Sequence, residues 1–357
     1  MSLPPQIQIP IVLHLSDLHW GDDRRINETS RTGKMAVDYL REDLEKLAKK
    51  RENRCPNVLL VSGDLTTKCA PKEYFYVKQF LQNIKEIFHL DYEHICIVPG
   101  NHDVNLTERK KYVTSGSDSP YLYEKDFKEK LGPNFVKPPE EPRAPYLWRL
   151  FPELRLCVVG FDSNVLIPQD LKNFPSDSEL FEKTLMCGRI GKTPLEILEE
   201  FLNTKKEEIP DFAAFTKIVL LHHHVIPVPS EEFKPFNILT DSGTFLKKLA
   251  KMDIDIILHG HEHSPFAARL KYGRGLQDES KRSTQNDMLI LGAGSAGSDR
   301  LKYEEGIANH YSIIEIDNLG WNVKRDPITV WIEWRHNTKK NWKFKQFSET
   351  AWKIKEE

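Results

Sequence analysis

Cysteine is scarce in this chain of 357 residues: there are five, Cys55, Cys69, Cys96, Cys157 and Cys187, an odd number without CxxC spacing. A cysteine-built zinc site or disulfide framework is disfavoured, and reduced thiols in a cytoplasmic protein are expected. Long apolar runs are missing too. Hydrophobic residues make up 39% of the chain, no stretch approaches the roughly 20 consecutive apolar residues of a spanning helix, and no membrane association is expected. Met1 to Pro10 has neither a basic n-region nor an apolar h-region, so no secretory leader is readable. Neither sign of charge dominates, with 51 Lys plus Arg against 53 Asp plus Glu for a net of −2. Coating nucleic acid or anionic lipid by net charge alone is disfavoured. Internal repeats and heptads are absent, which removes solenoids and coiled coils.

What is present is an alternation of strand-length apolar runs with helically spaced stretches, the pattern of an α/β protein. Strands are expected over Ile9–Leu15, Val58–Val61, Ile95–Val98, Leu156–Gly160, Ile218–Leu221, Ile254–Leu258 and Met288–Leu291. Val37, Leu40, Leu44 and Leu47 step by three and four, so one helical stripe faces a sheet. Pro71 opens a second helix carrying Val77, Phe80, Leu81, Ile84 and Phe88, Pro194 a third, and Asp241 or Ser242 caps a fourth. Residues 104–147, charged and then proline-rich, read as a lid-like insertion in a main domain spanning 1–320. Residues 269–287 read as an exposed basic loop. The tail from 321 to 357 holds five of the seven tryptophans. In it Ile328, Val330, Ile332 and Trp334 alternate with polar or outward residues, as in a half-buried hairpin packed on the main domain.

Five of the apolar runs end in residues of metal-ligand type: Ser16-Asp17-Leu18-His19, Gly63-Asp64, Gly100-Asn101-His102-Asp103, His222-His223-His224 and His259-Gly260-His261-Glu262-His263. In an open α/β sheet the carboxyl ends of strands converge on one crevice, so clusters nearly 250 residues apart can share a site. Aspartate, asparagine and histidine offer mixed oxygen and nitrogen donors, suited to Mn, Fe, Zn or Ni. Asp17 and His19, like His261 and His263, are two residues apart, and an extended segment would point both to one side.

Read in order, DLH, GDL, GNHD, HHH and GHEH resemble the motifs of the calcineurin-like metallophosphoesterase superfamily, over most of residues 9–317. The resemblance implies a four-layer αββα sandwich of two mixed β-sheets and two divalent metal ions (Mn, Fe/Mn or Zn). It implies that Asp17, His19 and His263 hold one ion and Asn101, His222 and His261 the other, with Asp64 bridging. It also implies that His102 faces the leaving group, its imidazole held by Asp103. His223, His224 and His259 are candidates for a supporting layer or a substrate wall. Two divalent ions and two carboxylates leave the site at +2, and a bridging hydroxide lowers this to +1, matched to a phosphodiester monoanion. In-line attack of that hydroxide on phosphorus is then the expected reaction.

GDLTT, the Pro71 helix and the GFDSN segment look most like class III cyclic nucleotide phosphodiesterases, so cyclic nucleotides or other small nucleotide-like diesters are the expected substrates. A nuclease of the same superfamily is the alternative. The tail carries nine basic against five acidic residues, interleaved with aromatics that could stack on bases. A non-catalytic scaffold would lack metal ligands, and all seven candidates are present. Protein partners are not readable.

Overall fold

In the computed structural model the apolar runs pair into two six-stranded sheets. It describes residues 7–21, 36–51, 54–104, 122–135, 146–164, 187–227, 238–272, 286–297, 307–319, 328–338 and 341–354. The order along the chain is β1 (Ile11–Leu15), α1 (Ala36–Arg51), β2 (Val58–Val61), α2 (Pro71–Phe88), β3 (Ile95–Ile97), α3 (Leu122–Leu131), β4 (Leu147–Phe151), β5 (Leu156–Gly160) and α4 (Lys192–Glu208). It continues with β6 (Thr216–Leu220), α5 (Ser242–Lys251), β7 (Ile256–His259), β8 (Phe266–Tyr272), β9 (Asn286–Gly292), β10 (Ile307–Asp317), β11 (Ile328–Thr338) and β12 (Asn341–Ile354).

The first sheet runs β12-β11-β10-β1-β2-β3 and the second β4-β5-β6-β7-β9-β8. Both are mixed: β1, β2 and β3 are parallel while β10 lies antiparallel to β1, and β5, β6, β7 and β9 are parallel between the antiparallel edges β4 and β8. Period-two alternation divides the second sheet between two cores. Val158, Ile218, Leu220, Ile256, Leu258, Leu289 and Leu291 pack into one cluster with the first sheet and with Leu40, Leu44, Val77 and Phe80 of its helices. Val159, Val219, Leu221, Ile257 and Ile290 point the other way, onto Leu198 of α4 and Phe245 and Leu249 of α5. The result is the four-layer αββα sandwich, each fully buried large aliphatic or aromatic side chain contributing about 1.5–3 kcal/mol over an exposed one.

Several local expectations need correction. Arg269 and Lys271 are not loop residues, because β8 pairs antiparallel with β9 from Phe266↔Gly292 to Tyr272↔Asn286. Arg269 lies against Asp287 in that ladder, so its charge is answered across the strands; residues 273–285 lie outside the described residues. Part of the 104–147 insertion is helical: α3 buries Phe127, whose ring meets Tyr74 of α2 edge-on at 6.0 Å. Asp241 is the N-cap residue of α5, but its carboxylate makes no capping hydrogen bond; it accepts instead from Gly191 N at 2.8 Å and Ile190 N at 3.3 Å, ahead of α4. All five cysteines are free thiols, and burial pushes Cys96 and Cys157 up to about 12.

Candidate metal centre

Each candidate cluster follows directly on a strand. β1 delivers Asp17 and His19, β2 Asp64, β3 Asn101 and His102, β6 the three histidines 222–224, and β7 His261 and His263. The backbone there is not extended. Asp17, His19, Asp64, His261 and His263 have φ of 54°, 47°, 52°, 78° and 60°, left-handed values that cost a non-glycine residue roughly 1–2 kcal/mol each. The two-residue spacing therefore brings Asp17 and His19 together through a tight turn, not through strand alternation. Hydrogen bonds between loops support the turns: Asp17 N to Gly63 O at 3.0 Å, His19 N to Asp64 O at 3.0 Å and Gly260 N to His222 O at 3.0 Å. The Asp64 and Asn101 loops touch where only glycine fits, since a Cβ on Gly63 would lie 2.5 Å from Gly100 N.

Two groups of side chains result. In the first, His19 Nε2 is 3.1 Å from His263 Nε2, and Asp17 Oδ1 is 3.3 Å from His263 Nε2 and 3.8 Å from His19 Nε2. In the second, Asn101 Oδ1 is 2.9 Å from both His222 Nε2 and His261 Nδ1, which are 3.2 Å apart. Asp64 stands between them, its Oδ2 3.5 Å from His19 Nε2 and 3.4 Å from His222 Nε2. All seven residues are buried except His261, which is partly exposed.

The donors fit a pair of cations. Ligands about 2.0–2.2 Å from one ion at right or tetrahedral angles stand about 2.8–3.6 Å apart, which covers nearly all of these separations. His222 Nδ1 lies 2.7 Å from Ser62 O. A carbonyl can only accept, so that nitrogen carries a proton, and in the neutral ring Nε2 turns a lone pair towards Asn101 Oδ1 and Asp64 Oδ2. Two facing acceptors need a cation between them. Asp17 Oδ1 is likewise buried without a hydrogen-bond donor.

The electrostatics describe how the metal-free cluster balances itself. Burial alone would raise Asp17, but His263 and His19 more than offset it and hold the carboxyl well below the usual range. Asp64 is lowered in the same way, with His222 and His102 offsetting burial. Burial lowers His222, yet the charge and hydrogen bond of Asp64 hold it up at about 9. Burial takes His19 down to about 4 against the pull of Asp17, and His261 falls well below its ordinary value through burial and the neighbouring histidines.

His102 stands at the rim of this cluster, its ring 4.9 Å from that of His19, edge to face. Its backbone N–H donates to Asp64 Oδ1 at 2.8 Å. The hydrogen bond expected between His102 and Asp103 is not made. His102 Nδ1 instead lies 3.0 Å from Thr67 O, and Asp103 receives Leu65 N, Thr66 N, Thr66 Oγ1 and Gly100 N at 2.9–3.1 Å. Asp103 thus ties the Asp64 and Asn101 loops together. Burial and the charge of Asp64 push it up to about 7, against those donors.

The other three candidate histidines, His223, His224 and His259, lie beside the cluster. His223 meets Ser163 Oγ through Nδ1 at 2.7 Å and packs its ring 4.6 Å from that of His261. His224 Nε2 accepts from Glu262 N at 3.1 Å, and its ring lies 4.5 Å from that of His259. Burial keeps His224 well below its ordinary value and brings His259 to about 4, so both rings are neutral. Asn164 Nδ2 donates to Pro99 O at 3.2 Å, joining the GFDSN segment to the Asn101 loop. The carbonyls of Ser62 and Thr67, which orient His222 and His102, carry no side-chain signal that a sequence could show.

A family model described as calcineurin-like phosphoesterase matches residues 11–265. A protein of Psychrobacter arcticus named "Probable cyclic nucleotide phosphodiesterase" is 23% identical over 326 residues, covering 90% of this chain and 92% of that one. Among solved structures, a dimetal phosphatase from Danio rerio superposes with a TM-score of 0.50 at 10% identity, covering 97% of this chain and 99% of that one. A purple acid phosphatase from yellow lupin (Lupinus luteus) seeds gives 0.49 at 13% identity, covering 98% of this chain, which spans 54% of the lupin protein. With two mixed sheets, a clustered set of His and Asp metal-binding candidates and a family match over most of its length, the chain belongs to the calcineurin-like phosphoesterase family of phosphoester hydrolases.

Proposed function

We propose that this protein hydrolyses phosphodiesters, with cyclic nucleotides or other small nucleotide-like diesters as substrates, using two divalent ions of the Mn, Fe or Zn type. Asp17, His19, His263 and Asp64 would hold one ion, and Asp64, Asn101, His222 and His261 the other. The observation that carries this reading is the position of Asp64 Oδ2, 3.5 Å from His19 Nε2 and 3.4 Å from His222 Nε2, where one oxygen can serve both groups. When bound, such a pair of cations supplies Lewis acidity, making water nucleophilic near neutral pH and offsetting charge on the phosphoryl oxygens.

The chain's own residues do the rest. The Thr67 carbonyl fixes the His102 tautomer with its proton on Nδ1. His102 Nε2 therefore donates only when the ring is the imidazolium, the form needed to protonate a departing alkoxide. Two neutralised carboxylates leave the loaded site positive, which favours a monoanionic diester. The name of the Psychrobacter arcticus relative points to the same substrate class. Among the basic residues of the tail, Arg335 is turned inward onto Asp43 and Glu333 and is not available to a nucleic acid. The free thiols fit a reducing compartment such as the cytoplasm, and no helix among the described residues is long and apolar enough to cross a membrane.

The test is a hydrolysis panel on Mn-reconstituted protein: cyclic nucleotides, bis-nitrophenyl phosphate, nitrophenyl phosphate, and single- and double-stranded DNA. Turnover of the cyclic nucleotides above that of the monoester and DNA is the expected result. Preferential cleavage of DNA that falls steeply as salt rises would move the protein to the nuclease reading.

A further inference from the structure

β9 runs into Gly292-Ala293-Gly294-Ser295-Ala296-Gly297, a stretch beyond the residues matched by the family and outside every metal-ligand motif. This segment closes on the Asp17 loop. Ala296 N donates to Ser16 O at 2.9 Å and Gly297 N to Asp17 O at 3.2 Å, and Ser295 Oγ donates to the same Asp17 O at 2.7 Å. Ser295 is buried. A Cβ on Gly297 would stand 2.2 Å from Leu18 O, so the approach requires glycine at that position. On the other side of the loop Asp17 N and His19 N are held by Gly63 O and Asp64 O, each at 3.0 Å. Left-handed Asp17, with φ of 54°, is thus gripped from both sides, and left-handed His19, with φ of 47°, follows two residues later in the same turn. Such conformations persist only where the surroundings over-determine them.

The geometry points to residues 295–297 as a backbone clamp, with Ser295 and Gly297 as positioning residues that keep the Asp17–His19 turn aimed at His263. The clamp itself is a property of the metal-free fold; its effect on cation binding rests on the function proposed above. Its hydrogen bonds end on residues 16 and 17, so it acts on the ion held by Asp17, His19 and His263 more than on the other.

Hydrogen exchange on the metal-free protein, paired with Mn titration, tests this. In Ser295→Ala the amides of residues 17–20 are expected to exchange roughly tenfold faster, with the rest of the first sheet unchanged. One of two Mn ions should bind about 10- to 100-fold more weakly while the other keeps its affinity. Ser295→Thr, which retains the hydroxyl, should restore both. Wild-type exchange at residues 17–20 in Ser295→Ala, equal weakening of both ions, or faster exchange across the whole sheet would overturn the clamp. A wild-type protein that takes up no pair of ions would defeat the metal reading instead, and the exchange measurement would still decide the clamp.

Discussion

Two histidine rings in the cluster have a proton placed by a carbonyl oxygen, His222 by Ser62 and His102 by Thr67. In the proposed function the first would be oriented to bind a cation and the second to donate a proton. His102→Ala is expected to keep two ions and to lose about 10²- to 10⁴-fold in turnover on substrates with poor leaving groups, but far less on nitrophenyl esters. Steady-state kinetics on both substrate types check this, and equal losses would remove His102 from proton donation. Asp64→Asn should weaken both ions together, as read by dialysis and metal analysis, because one oxygen faces both groups; selective loss of one ion would contradict a bridge. The candidate ligands were legible in the sequence because their chemistry is in their side chains and each follows an apolar run. The left-handed turns at Asp17 and His261 were not, since spacing by two reads equally well as a strand. The partner of His102 was not either, because a backbone carbonyl has no letter of its own.

At the scale of elements, the apolar runs and helical stripes read from the sequence correspond to β1–β3, β5–β7, β9, α1, α2, α4 and α5. The strands that escaped are β4, β8 and β10: β4 and β8 are edge strands whose faces carry Trp148, Arg149, Arg269 and Lys271, so their alternation is masked by partly exposed polar and aromatic residues, and central β10 buries the polar Asn309, His310 and Ser312 beside Tyr311 and Ile313, which hides its apolar run. The tail's alternation was readable because Ile328, Val330 and Ile332 are fully inside. Its hairpin adds to β10 and so extends the first sheet. Beside its residues in the apolar core it has a polar anchor: Arg335 of β11 donates from Nε and Nη2 to Asp43 of α1 at 2.7 and 2.8 Å, and Tyr311 of β10 donates to the same carboxylate. Both charges are largely shielded, with side-chain exposures of 15% and 8%. Asp43→Ala leaves the guanidinium with Glu333 as its remaining carboxylate and is expected to cost about 1–3 kcal/mol, seen as a lowered thermal midpoint. Asp43→Ala combined with Arg335→Leu should recover much of that loss. A single variant as stable as the parent would mean the pair does not fasten the hairpin.

For the molecule as a whole, burial of histidines makes stability depend on pH. His310 is brought down to about 3 by burial and by His336, against 6.5 for the unfolded chain. Between those values the unfolded state binds a proton that the folded state does not. The contribution is therefore complete above pH 6.5 and is lost as pH falls towards 3, at up to about 1.4 kcal/mol per pH unit. In the metal-free protein His310→Asn should show a shallower fall of thermal midpoint from pH 6.5 to 4 than the parent; parallel curves would contradict this.

The two sheets bring loops from residues 17 to 263 to one edge, and the proposed function requires neighbouring cation sites with a shared carboxylate there. Electron paramagnetic resonance of the protein loaded with Mn(II) tests it most directly. Two ions per chain with the spectrum of an exchange-coupled pair, reduced to weakly bound uncoupled Mn in Asp64→Asn, is the expected result. One ion per chain, or two that show no coupling in the parent protein, would contradict it.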